Sequence, residues 1–262
     1  MPGRVFAAHL FAIALIFLTH SIVSLVVPSF ASESLSKAAR IFDMTEENSI
    51  PNFFSALVLV VTAGVAAVIT FLHRRDGSSL WISWCLAALA IAFMGFDEGA
   101  MLHDRLAYVV QENAETTGVF YIGWTLPYLL LVLVAVPAGW PLLRALPRDT
   151  AVRLIQAATL FLIGALGMEM LESMLLQRSL PAGMSLRDAM TSESISANAA
   201  AMINAMEFIE ETSEMVAVAL ALRALLLHLT DDLGFGGVTV SRVAATEPTL
   251  YELPPVASVA RN

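Results

Sequence analysis

Glu207, Glu210, Glu211 and Glu214 crowd the stretch EFIEETSEM, which runs straight into the apolar VAVALALRALLLHL. On a helix turning about 100° per residue they follow the i, i+3, i+4, i+7 pattern and share one stripe about 100° wide, with Asn204 beside them. Two other stretches carry similar chemistry. GALGMEMLES holds Glu169 and Glu172, about 60° apart in projection with Ser173 nearby, and GFDEGAMLHDRL holds Asp97, Glu98, His103 and Asp104. On one helix Asp97 projects almost directly beneath Asp104, Glu98 lies about 100° away, and His103 falls on the other side of the aspartates. Helical bundles build di-iron and di-manganese centres from carboxylates and imidazoles aimed inward from several helices, and a carboxylate-rich set suits Mn, Fe, Mg or Ca better than Cu. The candidate metal ligands are therefore Asp97, Glu98, His103, Asp104, Glu169, Glu172, Glu207, Glu210, Glu211 and Glu214. Those bundle proteins use Glu-x-x-His on two helices. Here the nearest equivalents are Glu-x-x-Glu pairs: Glu169 with Glu172, Glu207 with Glu210, and Glu211 with Glu214.

The elements that must position these side chains lie in a membrane. The 262 residues are 58% hydrophobic and only 14% charged, with a mean hydropathy of +0.75, whereas soluble domains carry about 25% charged residues. A net charge of -9 excludes the clustered basic surface that nucleic acid requires. The lone Cys85 excludes a disulfide framework and a cysteine metal motif. A helix needs about 20 mostly apolar residues to cross a bilayer, and six segments qualify: residues 5–27, 52–73, 80–103, 119–143, 153–176 and 203–229. The expected architecture is an all-α, polytopic bundle of six transmembrane helices over residues 1–231, with 232–262 as a disordered cytoplasmic tail. Ser29-Phe30-Ala31 resembles a signal-peptide cleavage site, but the apolar run before it exceeds the usual length.

Arg4, Arg74, Arg75, Arg144, Arg148 and Arg153 fall on one side of this topology together with both termini, and that side reads as cytoplasmic. The chain is expected in a bacterial inner membrane. The uninterrupted apolar part of the sixth segment, Val216 to Leu229, rises only about 21 Å, too short to span alone. Its glutamates must enter the bilayer, and the third and fifth segments likewise complete their spans with acids. All three acidic stretches then share the outer, periplasmic leaflet, with His20 of the first segment at a similar depth. His9, His73 and His228 are expected at membrane boundaries, Trp124 and Tyr128 among the interface anchors or packing residues, and Arg105 at the surface.

Ionised carboxylates in a low-dielectric setting are costly unless paired, and only His103, Arg105 and His20 are at hand as basic groups. Three resolutions follow. The acids hold a divalent metal ion, with Fe, Mn or Zn the leading choices. They belong to a cation or proton transporter, although the inner halves of the helices offer only Thr62, Thr70, Gln156 and Thr159 as polar groups. Or they form a structural network of protonated glutamates hydrogen-bonded to Ser173, Thr212, Ser213 and Asn204. Every methionine except Met1 falls in the outer half or an outer loop, which hints at Cu(I), although Met is also the usual filler around irregular polar pockets.

The stretches GFDEGAMLHDRL, YIGWTLPYLLL, GALGMEMLES and MEFIEETSEM together resemble a group of uncharacterised bacterial multi-pass membrane proteins with an Asp-Glu pair, a His-acid pair five residues on and later Glu-rich helices. This chain has Asp104 where that group carries Glu. The resemblance implies one shared site for Asp97, Glu98, His103 and the later glutamates and no established activity. An enzyme built on this site would be a metal-dependent hydrolase or oxidoreductase acting on a lipid, a quinone or a periplasmic small molecule.

Overall fold

The computed structural model describes residues 1–25, 32–181, 184 and 195–236, which include helices but no strand. Helix α1 is Pro2–Leu25, α2 Glu33–Ala39, α3 Ile50–Arg75, α4 Trp81–Ala100, α5 Leu102–Asn113, α6 Thr125–Ala145, α7 Arg148–Leu162, α8 Glu169–Ser179 and α9 Ala197–Leu227. A π-turn at Ile163–Met168 fuses α7 to α8, and another at His228–Asp232 extends α9. Six helical rods among the described residues are long and apolar enough to cross a membrane: α1, α3, α4, α6, α7 through α8, and α9 through Asp232. Their flanks match that reading, for Val134 is 69% and Leu133 62% exposed, a surface suited to lipid. The expected cleavage site at 29–31 and tail residues 237–262 lie outside the described residues.

Local chemistry sets the boundaries. Ser49 caps α3 by accepting a hydrogen bond from the Asn52 N–H at 3.2 Å, with Pro51 in the first turn, and Ser196 caps α9 in the same way through Ala199 N at 3.3 Å. The third expected segment, 80–103, is not one helix. Met101 takes a left-handed conformation (φ 51) that ends α4, and α5 starts afresh at Leu102. The Asp97 carboxylate compensates by accepting the His103 backbone N–H at 2.9 Å, one of the donors a new helix leaves unsatisfied. The projection of Asp97 beneath Asp104 on a single helix is corrected accordingly: the two lie on different helices.

Helix α9 is central and packs on α1, α3, α7, the first π-turn and α8. Gly164 in that π-turn permits a close approach to α9. A Cβ there would stand 3.1 Å from Ser213 Cβ, 3.2 Å from the Glu210 carbonyl oxygen and 3.3 Å from Glu214 Cγ. Ile13 and Ile16 of α1 pack with Met44, Met215 and Ala219, so these two methionines fill an apolar cluster. At the other end of the bundle Ala66, Ile69, Leu72, Trp84 and Leu225 form a second core. Arg4, Arg74, Arg75, Arg144, Arg148 and Arg153 flank this second end, and the candidate metal ligands gather at the first.

Candidate metal centre

Two groups of ligand-type side chains assemble at the acidic end. Glu169 and Glu172 of α8 and Glu210 of α9 each offer an oxygen, and the three oxygens lie within 4.8 Å of one another. Glu47, His103 and Asp104 form a second group of the same tightness. A first-row divalent ion bound at about 2.0–2.2 Å draws its ligand atoms to within about 4.4 Å of each other, so either group needs only a small side-chain adjustment.

The first group is built by the π-turn. Its wider turn ends at Met168 and delivers Glu169 and Glu172 to α9, where Gly164 lets Glu210 come close. Glu172 is 7% exposed, and both Glu172 Oε2 and Glu210 Oε2 are buried with no hydrogen-bond partner among the described residues. Glu169 Oε1 accepts from Trp124 Nε1 at 3.0 Å. Ser173 does not serve the carboxylates: its hydroxyl, fully buried, accepts the Ile122 N–H at 2.8 Å. Thr212 Oγ1 is buried without a partner, and Asn204 is exposed. Of the four partners that a network of protonated glutamates was expected to use, Ser173 and Thr212 thus make no hydrogen bond to the glutamates among the described residues.

The second group owes its form to the break at Met101. Asp97 takes the His103 backbone N–H on Oδ1 and lies 3.5 Å from the ring Nδ1 through Oδ2, so the imidazole is held from one side. Its Nε2 then faces Glu47 Oε1 at 3.8 Å and Asp104 Oδ1 at 3.9 Å. A carboxylate orienting one ring nitrogen while the other faces the site is the usual second layer around metal-binding histidines. Without a cation the ring is itself the counter-charge. Burial alone would lower its pKa, but the neighbouring carboxylates of Asp97, Glu47 and Asp104 outweigh that and raise it to about 11. The Asp104 carboxyl is pushed up, first by burial and then by Glu47 and Asp97, with His103 opposing. A cation on Nε2 would take the place of the imidazolium proton.

The remaining acids sit around and between the two groups. Asn52 Nδ2 stands 3.1 Å from Glu47 Oε2 and 3.3 Å from Glu98 Oε1, tying the loop before α3 to the end of α4. Glu211 is within electrostatic reach of Glu98, Glu47 and His103, and Glu214 of Glu98, His103, Glu47 and Glu169. Glu207 faces Asp43, Glu46 and Glu47. His20, expected at this depth, is instead engaged with the loop. Its Nδ1 accepts the Met44 N–H at 3.1 Å when neutral and lies 2.9 Å from Asp43 Oδ1 for a salt bridge when protonated, while the ring stacks on Phe208.

Sequence reasoning missed Glu47, Asn52, Trp124 and Tyr128 as members of the site. Trp124 is only 6% exposed and its ring packs 5.2 Å from His103 and 5.0 Å from Tyr128, which hydrogen-bonds to Asp97. Of the two roles expected for them, interface anchoring or packing, the structure gives packing, beside the carboxylates. A Trp three residues before Pro127 carried no signal of this in the sequence. Glu47 carried a faint one, as an acid five residues before the polar Asn52 at a helix start. Arg105 is exposed, as expected. His9 and His228, expected at the boundaries, are 8% and 3% exposed inside the bundle.

No curated protein and no solved structure matches the chain. A family model covers residues 7–229, from the first helix to the end of the last span. The chain therefore belongs to the family described as "Domain of unknown function (DUF8692)".

Proposed function

We propose that this protein is a multi-pass protein of the bacterial inner membrane that binds divalent metal ions, Fe, Mn or Zn, in an intramembrane carboxylate site near the periplasmic leaflet. The observation that carries the reading is the pair of buried, unpartnered oxygens on Glu172 and Glu210 beside Glu169. An unpaired buried carboxylate oxygen costs several kcal/mol unless it binds something, and three from two helices suit a hard or borderline cation. Glu47, His103 and Asp104, with Asp97 orienting the imidazole, are the ligands of a neighbouring site. Clustering of the arginines at the opposite end supports an orientation with both termini in the cytoplasm.

Such a site supplies a Lewis acid to a substrate entering from the lipid or the periplasm, a lipid, a quinone or a small molecule. Transport is the weaker reading. Thr62 and Thr70 donate to the carbonyls of Val58 and Ala66 in their own helix, and Gln156 and Thr159 are exposed on the flank of α7. These four residues do not assemble into a path.

Elemental analysis of protein purified in mild detergent tests the proposal. The expected result is bound Fe, Mn or Zn that is lost in Glu172→Gln. Metal-free wild-type protein whose melting temperature does not respond to added Mn, Fe or Zn would refute it.

A further inference from the structure

One polar site lies deeper than any of the carboxylate groups. Helices α1, α3, α7 and α9 enclose a cavity of about 10 Å³ lined by His9, Ser55 and Glu214, with Phe54, Phe161 and Met215 closing it. His9 is 8% and Ser55 7% exposed, and His9 Nε2 and Ser55 Oγ are both buried without a hydrogen-bond partner among the described residues. The imidazole is fixed edge-on against Phe54, ring centroids 5.3 Å apart, so it cannot swing out to the lipid without losing that contact. Ser55 lies one turn into α3 and yet does not bond back to a carbonyl of its own helix, as Thr62 and Thr70 do.

We propose that His9, Ser55 and Glu214 bind one buried water molecule, which extends the hydrogen-bonded polar column of the carboxylate cluster to helix α1. The volume is what a single water needs, about 10–15 Å³ of space for its centre, and a buried water typically makes about three hydrogen bonds. Three polar side chains from three helices supply them. A serine hydroxyl can donate or accept, the Glu214 carboxyl can do either according to its protonation, and the imidazole nitrogen complements whichever role remains. Apolar cavities of this size stay dry, but this one is lined by polar residues from three helices, which is the condition for occupancy.

The site also explains why α1 carries a buried histidine. His9 starts seven residues into α1 from the end opposite the acids, about 10 Å along the helix. It is the member of that helix that meets the polar column from below, where Ile13 and Ile16 above it make apolar contact only. This water site does not depend on a metal being bound among the acids.

Two measurements on the full chain in lipid nanodiscs decide the matter. A structure of the wild-type protein at a resolution that shows ordered water should place one water within hydrogen-bond distance of His9 Nε2, Ser55 Oγ and the Glu214 carboxyl. A dry cavity, or a direct His9–Glu214 hydrogen bond, overturns the proposal. Radiolytic hydroxyl-radical labelling provides the second readout, since water activated in place oxidises neighbours that bulk solvent does not reach. Met215, 2% exposed, should be oxidised in the wild type and several-fold less in Ser55→Val. Equal labelling in wild type and Ser55→Val, or none in the wild type, overturns it. If Ser55→Val fails to fold, His9→Leu serves for the same comparison.

Discussion

Asp97 does two tasks with one carboxylate, and both are open to test. It accepts the backbone N–H that starts α5 and it holds Nδ1 of His103. The pKa of His103, raised to about 11 by Asp97 and Glu47 against the lowering by burial, should drop toward the ordinary histidine range in Asp97→Asn, as an NMR titration of the ring would report. For the metal-free protein the sign of the linkage follows. A group whose folded pKa is raised contributes stability that is fully present below about pH 6.5 and is lost progressively as pH rises toward about 11. Melting temperatures measured across that window should fall with pH in the wild type and fall less in Asp97→Asn. Met101, the left-handed residue between Asp97 and His103, should tolerate glycine: Met101→Gly is expected to gain about 1 kcal/mol in unfolding free energy by relieving a conformation unfavourable to a side chain. Glu172→Gln should remove metal-dependent stabilisation. For a site saturated at about a hundred times its dissociation constant that is about 2.7 kcal/mol, read as a lost thermal shift with added metal.

At the scale of elements, the π-turn at Ile163–Met168 and the break at Met101 are the two departures from regular helix that build the site. Each re-aims side chains that an unbroken helix would send elsewhere. Gly164 is the contact on which the first depends, because Ser213 Cβ, the Glu210 carbonyl and Glu214 Cγ all lie within 3.3 Å of where a Cβ would be. Gly164→Val should therefore cost about 1–3 kcal/mol by overpacking. It should also lower metal occupancy, since Glu210 must retreat from Glu169 and Glu172. Loss of stability with full metal content would show that Gly164 serves packing alone. Ser49 with Pro51, and Ser196, are start signals in the sequence, but the spans expected from hydropathy began later, at 52 and 203, because capping residues are polar and stand outside the apolar runs. The interruption at Met101 was not legible in advance, for a methionine carries no preference for the left-handed region and only the partnership of Asp97 with a backbone amide six residues on makes it stable.

For the molecule as a whole, the orientation proposed from the arginines predicts where each loop lies. Reporter fusions after Arg75, after Arg148 and after the final helix should report the cytoplasm, and fusions near Glu112 and between α8 and α9 the periplasm. A cytoplasmic signal at residue 112 would place Asp97 and Glu98 at the wrong face for the proposed site. The exposed apolar flanks of α6, where Leu133 and Val134 stand clear of the bundle, fit a helix that touches lipid along most of its length.

Composition and periodicity were enough to find six helices long and apolar enough to cross a membrane, because crossing hydrocarbon imposes length and apolarity on each segment independently of its neighbours. The same one-dimensional logic placed Glu169, Glu172 and Glu210 among the candidate ligands, since an apolar run too short to span by itself draws attention to the adjoining acids. Which acids meet was a three-dimensional matter. The sequence alone could not pair Glu47 with His103 across 56 positions, turn Trp124 and Tyr128 inward, or bring His9 beneath Glu214. Those contacts arise from how α1, α3, α4, α8 and α9 pack. Helix packing is decided by close approach at residues such as Gly164 and Gly95 and by local breaks in the helix, neither of which leaves a periodic trace along the chain.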